Sequence, residues 1–341
     1  MNEFVEKNHY VPESYLKKWG NANGKISVYR ILVPNENMPL WKNASPRGLA
    51  NHRHLYTKIV TSEESDEIER WFNTGFESPA AASIEKVISD IQLSPDDWNN
   101  LIRFLAVQDV RTPARLIEMM KRTQDTLPKL MDDVLKDSVQ KLIELKETGV
   151  SSFSPKSPPS DYLPIKVTKE FLEGEDHAKL GIECVVGRSF WLHSIKHLLT
   201  NTLNILSKHK WTILRSPIGF NWLTSDDPVI KLNYHNSNKY DFGGGWGSIG
   251  TEVFLPVSPR HLIYTKIGSK PDPRGTVLTK DQAMIFQRII IEHGHRYIFS
   301  SSQDSFVNQT RPRTVNLEFY NEEKAHWENW HKQNIEAEQN L

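Results

Sequence analysis

Residues 94–115 read SPDDWNNLIRFLAVQDVRTPAR. Ser94 is placed to cap a helix, Pro95 to occupy its first position, and Asp96 and Asp97 to complement the positive end of its dipole. Trp98, Leu101, Ile102, Leu105 and Ala106 then recur at helical spacing and define one buried face. Thr112-Pro113 ends or restarts the helix, because proline lacks an N–H and crowds the preceding turn. Helical periodicity extends outward on both sides, over about 61–209. Thr61 or Ser62 is the expected cap of the first helix, with Glu63 and Glu64 in its first turn. Pro79 and Pro128 are expected interruptions. A short helix is expected over 168–180 and a longer one over 187–209. Val150–Pro164, with its prolines and serines, reads as a linker.

Beyond this block the pattern changes. KISVYRILV (Lys25–Val33) follows an Asn-Gly turn, and WTILRS, PVIKLN, EVFLPVS, HLIYTKI and RYIFS are short β-like runs after Lys210. The sequence therefore predicts an α+β fold, a central helical block flanked by short antiparallel β segments. Residues 1–300 would form one domain, with the β-rich part at about 210–300 and a polar C-terminal extension at 301–341. The single cysteine, Cys184, reads as a core thiol.

The 341 residues carry 42 Lys and Arg against 42 Asp and Glu. A neutral chain has no global attraction for nucleic acid, so an anionic ligand would need a local site. One cysteine excludes a disulfide framework and a multi-cysteine zinc site, and suits a reducing compartment. No run reaches the roughly 20 apolar residues of a membrane helix. No signal peptide is visible at the N-terminus. A soluble, cytoplasmic protein without a membrane partner is expected.

Several polar constellations could carry chemistry. His9-Tyr10-Val11-Pro12 puts an imidazole beside a phenol on backbone held extended before proline. It could serve catalysis or simply bond to backbone. Gln108, Asp109 and Arg111 lie where Pro113 frees backbone groups, which suits an anion or an internal Arg–Asp pair. Ser225-Asp226-Asp227-Pro228 follows an apolar strand. Its carboxylates suit a general base, an oxygen ligand for a divalent ion such as Mg²⁺, or an Asx-type turn. His52-x-His54 would suit a transition metal but has no third ligand nearby in sequence. Arg188-x4-His193 and Arg288-x4-His293 resemble the motif of HEPN ribonucleases, a spacing that 13 histidines produce about once by chance.

Taken in order, His9-Tyr10-Val11-Pro12, Tyr15-Leu16, Trp19, Gln108-x-x-Arg111-Thr112-Pro113, Trp211, Thr224-Ser225-Asp226-Asp227-Pro228-Val229, Leu255-Pro256-Val257-Ser258-Pro259 and Arg296-Tyr297-Ile298-Phe299-Ser300 resemble the bacterial domain-of-unknown-function family 4238 over roughly residues 5–300. The resemblance implies no settled activity but adds weight to His9, Gln108, Arg111, Ser225 and Asp226. Such a set suits acid–base work on an anionic substrate. Arg111 would bind the anion, Asp226 would be base or metal ligand, and His9 acid or base. Tyr10, Gln108 and Ser225 would contact the substrate. The expected function is a hydrolase or nuclease acting on a phosphate-bearing substrate, with nucleic acid or a nucleotide as partner and phage defence or a toxin system as context. The alternative is a non-enzymatic ligand-binding or regulatory protein in which the same motifs are structural.

Overall fold

The computed structural model describes residues 4–60, 63–148, 165–171, 178–236 and 239–339. It shows an α+β fold with helices and small, mostly antiparallel sheets. Two compact units are present. One comprises residues 1–115 and 197–331, and the other residues 116–196 and 332–341. No described helix is long and apolar enough to cross a membrane.

The first unit holds the sheets that build the candidate site. A four-stranded sheet is ordered Thr224–Ser225, Tyr297–Ser300, Ile26–Arg30, Trp41–Ala44, all antiparallel. Strand side chains alternate between faces. Here Tyr29, Trp41 and Ile298 turn to one side and join the core, alongside Leu214, Ile230, Phe254 and Leu262 of a six-stranded sheet. Ile289 and Ile290 of the helix Lys280–His293 enter the same core. The opposite face of the four-stranded sheet carries Val28, Arg30, Lys42 and Tyr297, in adjacent register (Val28 opposite Lys42, Arg30 opposite Tyr297).

The stretch SPDDWNNLIRFLAVQDV forms the helix Pro95–Val110 as expected, with a reciprocal capping box between Ser94 and Asp97. Lys86 holds the Asp97 carboxyl well below the usual carboxylate range. Leu101, Phe104 and Leu105 are buried, as are Phe72 and Phe76 from the helical segments that precede them. The N-terminal aromatics serve the fold. Trp19 Nε1 donates to the Trp222 carbonyl at 2.8 Å, and the Tyr15 hydroxyl meets Thr224 Oγ1 and the Pro256 carbonyl at 2.7 and 2.6 Å.

The structure corrects several element expectations. Glu63–Ser65 is a strand, and the first helix begins at Glu67 after Asp66. The expected cap at Thr61 or Ser62 lies outside the described residues. Pro79 does not interrupt the helix Ser78–Ile88. It sits in its first turn, where a missing N–H costs nothing, and a π-turn over Asn73–Glu77 leads into it. Pro128 lies inside the continuous helix Pro113–Thr148. Its surroundings are exposed, so water can answer the carbonyl it leaves unbonded. Residues expected as a helix at 168–180 include the paired strands Ile165–Phe171 and Ala178–Cys184. The alternating, β-branched run IKVT favours that outcome. Cys184 is only partly buried rather than a core thiol. The linker Val150–Pro164 lies outside the described residues. In the second unit Arg188 is fully buried on Glu338, at 2.9 Å, which gives that half of the first ribonuclease-like spacing a structural role.

Replacing Ser94 with Ala should remove one half of the capping box and lower stability by about 1 kcal/mol in chemical denaturation, with the fold unchanged.

Candidate functional site

A cavity of about 490 Å³ lies in the first unit. Its wall includes Tyr10, His52, Asp226, Arg296 and Tyr297, and Glu323, Lys324 and Trp327 of the helix Leu317–Gln339. A second cavity of about 280 Å³ shares Tyr10, Asn51, His52 and Tyr297 with it and is lined by Arg30 and Lys42. The sheet face described above is its floor.

Asp226 is the carboxyl of the larger cavity. It follows the strand Thr224–Ser225, and its backbone N–H donates to the Tyr297 carbonyl at 3.1 Å. Its side chain accepts the backbone N–H groups of His295 and Arg296 at 2.8 and 2.9 Å. Two such donors stabilise a carboxylate, but burial disfavours the charge more, and the pKa is pushed up to about 7. The donors are positioned by the end of the helix Lys280–His293. Arg311 donates to the carbonyls of Ile291, Glu292 and Gly294, groups that a helix terminus leaves unanswered. Gly294 makes the approach possible, since a Cβ there would stand 3.1 Å from Ser225 Cβ and closer still to Ile298.

The aromatic wall is a stack. His52 lies between Tyr10 (5.4 Å, 22°) and Trp327 (4.0 Å, 14°). Burial pushes His52 down to about 4 and the Tyr10 phenol well up, with Asp226 adding to the latter, so both rings are neutral at pH 7. His295 is likewise pushed down to about 4, by burial and then by Arg296. Arg296 is held by Glu323 at 2.6 Å. Among the described residues, Arg30 and Lys42 have no ion-pair partner, which leaves their charges to the smaller cavity.

The residues singled out in the sequence are placed as follows. Tyr10 and Asp226 line the cavity together. Ser225 is fully buried and turned back on its own loop, donating to the Asp227 carbonyl at 2.9 Å and accepting the Asp227 N–H at 3.2 Å. Arg111 is fully buried beneath the wall. It donates to Glu77 at 2.6 Å, to the Tyr10 carbonyl at 3.2 Å, and to the Gln108 amide oxygen at 2.6 and 2.9 Å. Burial opposes its charge, but Glu77, Tyr56 and Glu69 outweigh that and raise its pKa. Gln108 is thereby also internal. His9 Nε2 donates to the Arg47 carbonyl at 3.3 Å, and burial lowers its pKa. Neither His9 nor Arg111 lines the cavity. Asp109 pairs with Lys231 and Trp246 Nε1 at 2.9 and 2.7 Å, and Asp227 accepts from Thr112 at 2.9 Å and faces His293, the histidine of the second ribonuclease-like spacing, at 3.5 Å.

Several wall residues gave no functional signal in sequence. Arg30, Lys42 and Trp327 lie on three elements, Ile26–Arg30, Trp41–Ala44 and Leu317–Gln339, and only the sheet register and the C-terminal helix bring them to the cavities.

Residues 7–304 match the family described as "Protein of unknown function (DUF4238)". The chain belongs to this family. The matched span contains every cavity residue except those of the C-terminal helix Leu317–Gln339. No curated protein and no solved structure matches the chain.

Arg111→Met should cost about 3 kcal/mol in denaturation, because it leaves the half-buried Glu77 and Glu69 without their cation. Asp226 gives a pH signature. Its pKa is raised in the native state, so its contribution to stability is present at low pH and is lost as pH rises through about 7. Thermal unfolding of Asp226→Asn and the unaltered protein should shift in favour of the variant between pH 5 and pH 8, by on the order of 2–4 kcal/mol.

Proposed function

We propose that the protein is a hydrolase of nucleotide-like, phosphate-bearing substrates, and that the joined cavities hold the substrate. The observation that carries this reading is Asp226, a buried carboxyl with a pKa of about 7 on the wall of a large cavity. A group titrating near the working pH can both take and return a proton. Buried acids perturbed in this way, in a cleft, are candidate catalytic groups.

The surroundings suit that substrate class. The Tyr10–His52–Trp327 stack offers flat, neutral rings on which a base can stack, an interaction worth about 1–3 kcal/mol. Arg30 and Lys42, which have no ion-pair partner among the described residues, supply positive charge for phosphate. Asp226 accepts the proton of the attacking water and returns it to the leaving oxygen. A divalent ion such as Mg²⁺ would bring further charge to the phosphate. Arg111, His9 and Gln108 act one step away by holding the Tyr10 segment in place. A nuclease acting on nucleic-acid ends is the macromolecular form of the same chemistry.

The alternative, a non-enzymatic ligand-binding or regulatory protein, draws on the same Asp226. Its bonds to the His295 and Arg296 amides are those of a structural turn. The two readings separate in one experiment. Nucleotides and short oligonucleotides are screened for binding and for hydrolysis with Mg²⁺ or Mn²⁺ present. Binding should weaken at least about tenfold in the double variant Arg30→Ala, Lys42→Ala. Asp226→Asn should lose about 100-fold or more in turnover while binding persists. Binding without turnover in either protein would select the regulatory reading, and absence of binding would remove both.

A further inference from the structure

His54, Glu64 and His331 bring three metal-ligating atoms within 4.8 Å of one another. They come from three separate places: the turn after the strand Asn51–Arg53, the strand Glu63–Ser65, and the helix Leu317–Gln339. We propose that this trio binds a divalent transition-metal ion, Zn²⁺ by its donor set, and that the ion fastens the C-terminal helix over the cavity.

Two imidazoles and one carboxylate are a common zinc-ligand combination, with a fourth position left for water. The side chains of His54 and His331 are 16% and 22% exposed and that of Glu64 is 41% exposed, so an ion and its water can enter. His331 Nε2 stands 2.7 Å from Glu64 Oε1, and His54 Nδ1 stands 3.8 Å from Glu64 Oε2. The carboxylate is therefore flanked by one nitrogen from each ring.

A second feature points to a ligand independently of the trio. The other nitrogen of His54, Nε2, faces Glu6 Oε1 at 3.3 Å. A carboxylate only accepts, so Nε2 carries the proton there, and Nδ1, on the Glu64 side, is the nitrogen left to coordinate an ion. A histidine whose far N–H is held by a carboxylate is the usual arrangement around bound zinc, because it fixes the tautomer and strengthens the donor. Thr57 Oγ1 lies 3.2 Å from the same Nδ1 and would yield that position to the ion. His54 also takes a left-handed backbone (φ 51°), a conformation uncommon outside glycine.

The role follows from register. His52 and His54 are two residues apart, and Trp327 and His331 are four apart on one helix face. His52 stacks on Trp327, and His54 stacks on His331 at 3.8 Å and 10°. Two extended residues advance about 6.6 Å, and four helical residues about 6 Å, so the two rows match in pitch. Coordination turns the second pair of rings out of their stack so that both lone pairs meet the ion, and His331 then keeps its proton on Nδ1. The clamp lies one helical turn beyond Trp327, and the same helix supplies Glu323 and Lys324 to the cavity wall.

Chelator-stripped full-length protein is titrated with Zn²⁺ against a chromophoric chelator, and thermal unfolding is followed in parallel. One equivalent should bind and raise the melting temperature. His54→Ala and His331→Ala should each weaken binding by about 100-fold or more, and Glu6→Gln by about tenfold with all ligands retained. His235→Ala, at an exposed strand position, should leave affinity unchanged. Should an alanine variant fail to fold, Glu64→Gln gives the same readout at the most exposed ligand. Failure of the stripped protein to take up one equivalent, or uptake that survives loss of His54, His331 and the Glu64 charge, would overturn the proposal.

Discussion

The candidate site depends on how one buried guanidinium is answered. Arg111 is fully buried, and a planar cation taken from water needs its donors matched. Glu77 takes one side, the Gln108 amide another, and the Tyr10 carbonyl a third. Arg111 thereby fixes the backbone of the His9–Pro12 segment against the helical block, and Tyr10 is presented to the cavity from that segment. The Tyr56 hydroxyl closes the arrangement on the Arg111 carbonyl at 2.6 Å.

Around that anchor the two walls of the cavity form by different means. The sheet supplies one wall through its period of two, which sends Tyr29 and Ile298 into the core and Arg30, Lys42 and Tyr297 to the other side. The C-terminal helix supplies the other wall through its period of about four, which aligns Glu323 and Trp327. Asp226 sits where the sheet meets the end of another helix. Backbone amides favour its charge, but burial outweighs them and keeps a proton on it near neutral pH.

Much of this was legible in the sequence. The helix cap at Ser94 with Asp97 in the first turn, the short strands and the α+β class follow from local chemistry. Tyr10 and Asp226 stood out as residue types suited to a site. Less legible were features set by distance along the chain. Arg111 reads equally well as an anion ligand or as a buried anchor, and only the positions of Glu77 and Glu69 place it inside. His52 and His54 resemble a surface pair until the helix some 270 residues away stacks on both. The paired strands Ile165–Phe171 and Ala178–Cys184 are hard to read in sequence because their charged residues obscure a two-residue alternation that a cross-strand partner makes plain.

The most direct measurement is a ¹³C NMR titration of the Asp226 carboxyl, assigned by its disappearance in Asp226→Asn. The account predicts a midpoint near pH 7 that moves when a nucleotide occupies the cavity. A midpoint near that of an ordinary aspartate, unmoved by nucleotide, would contradict it.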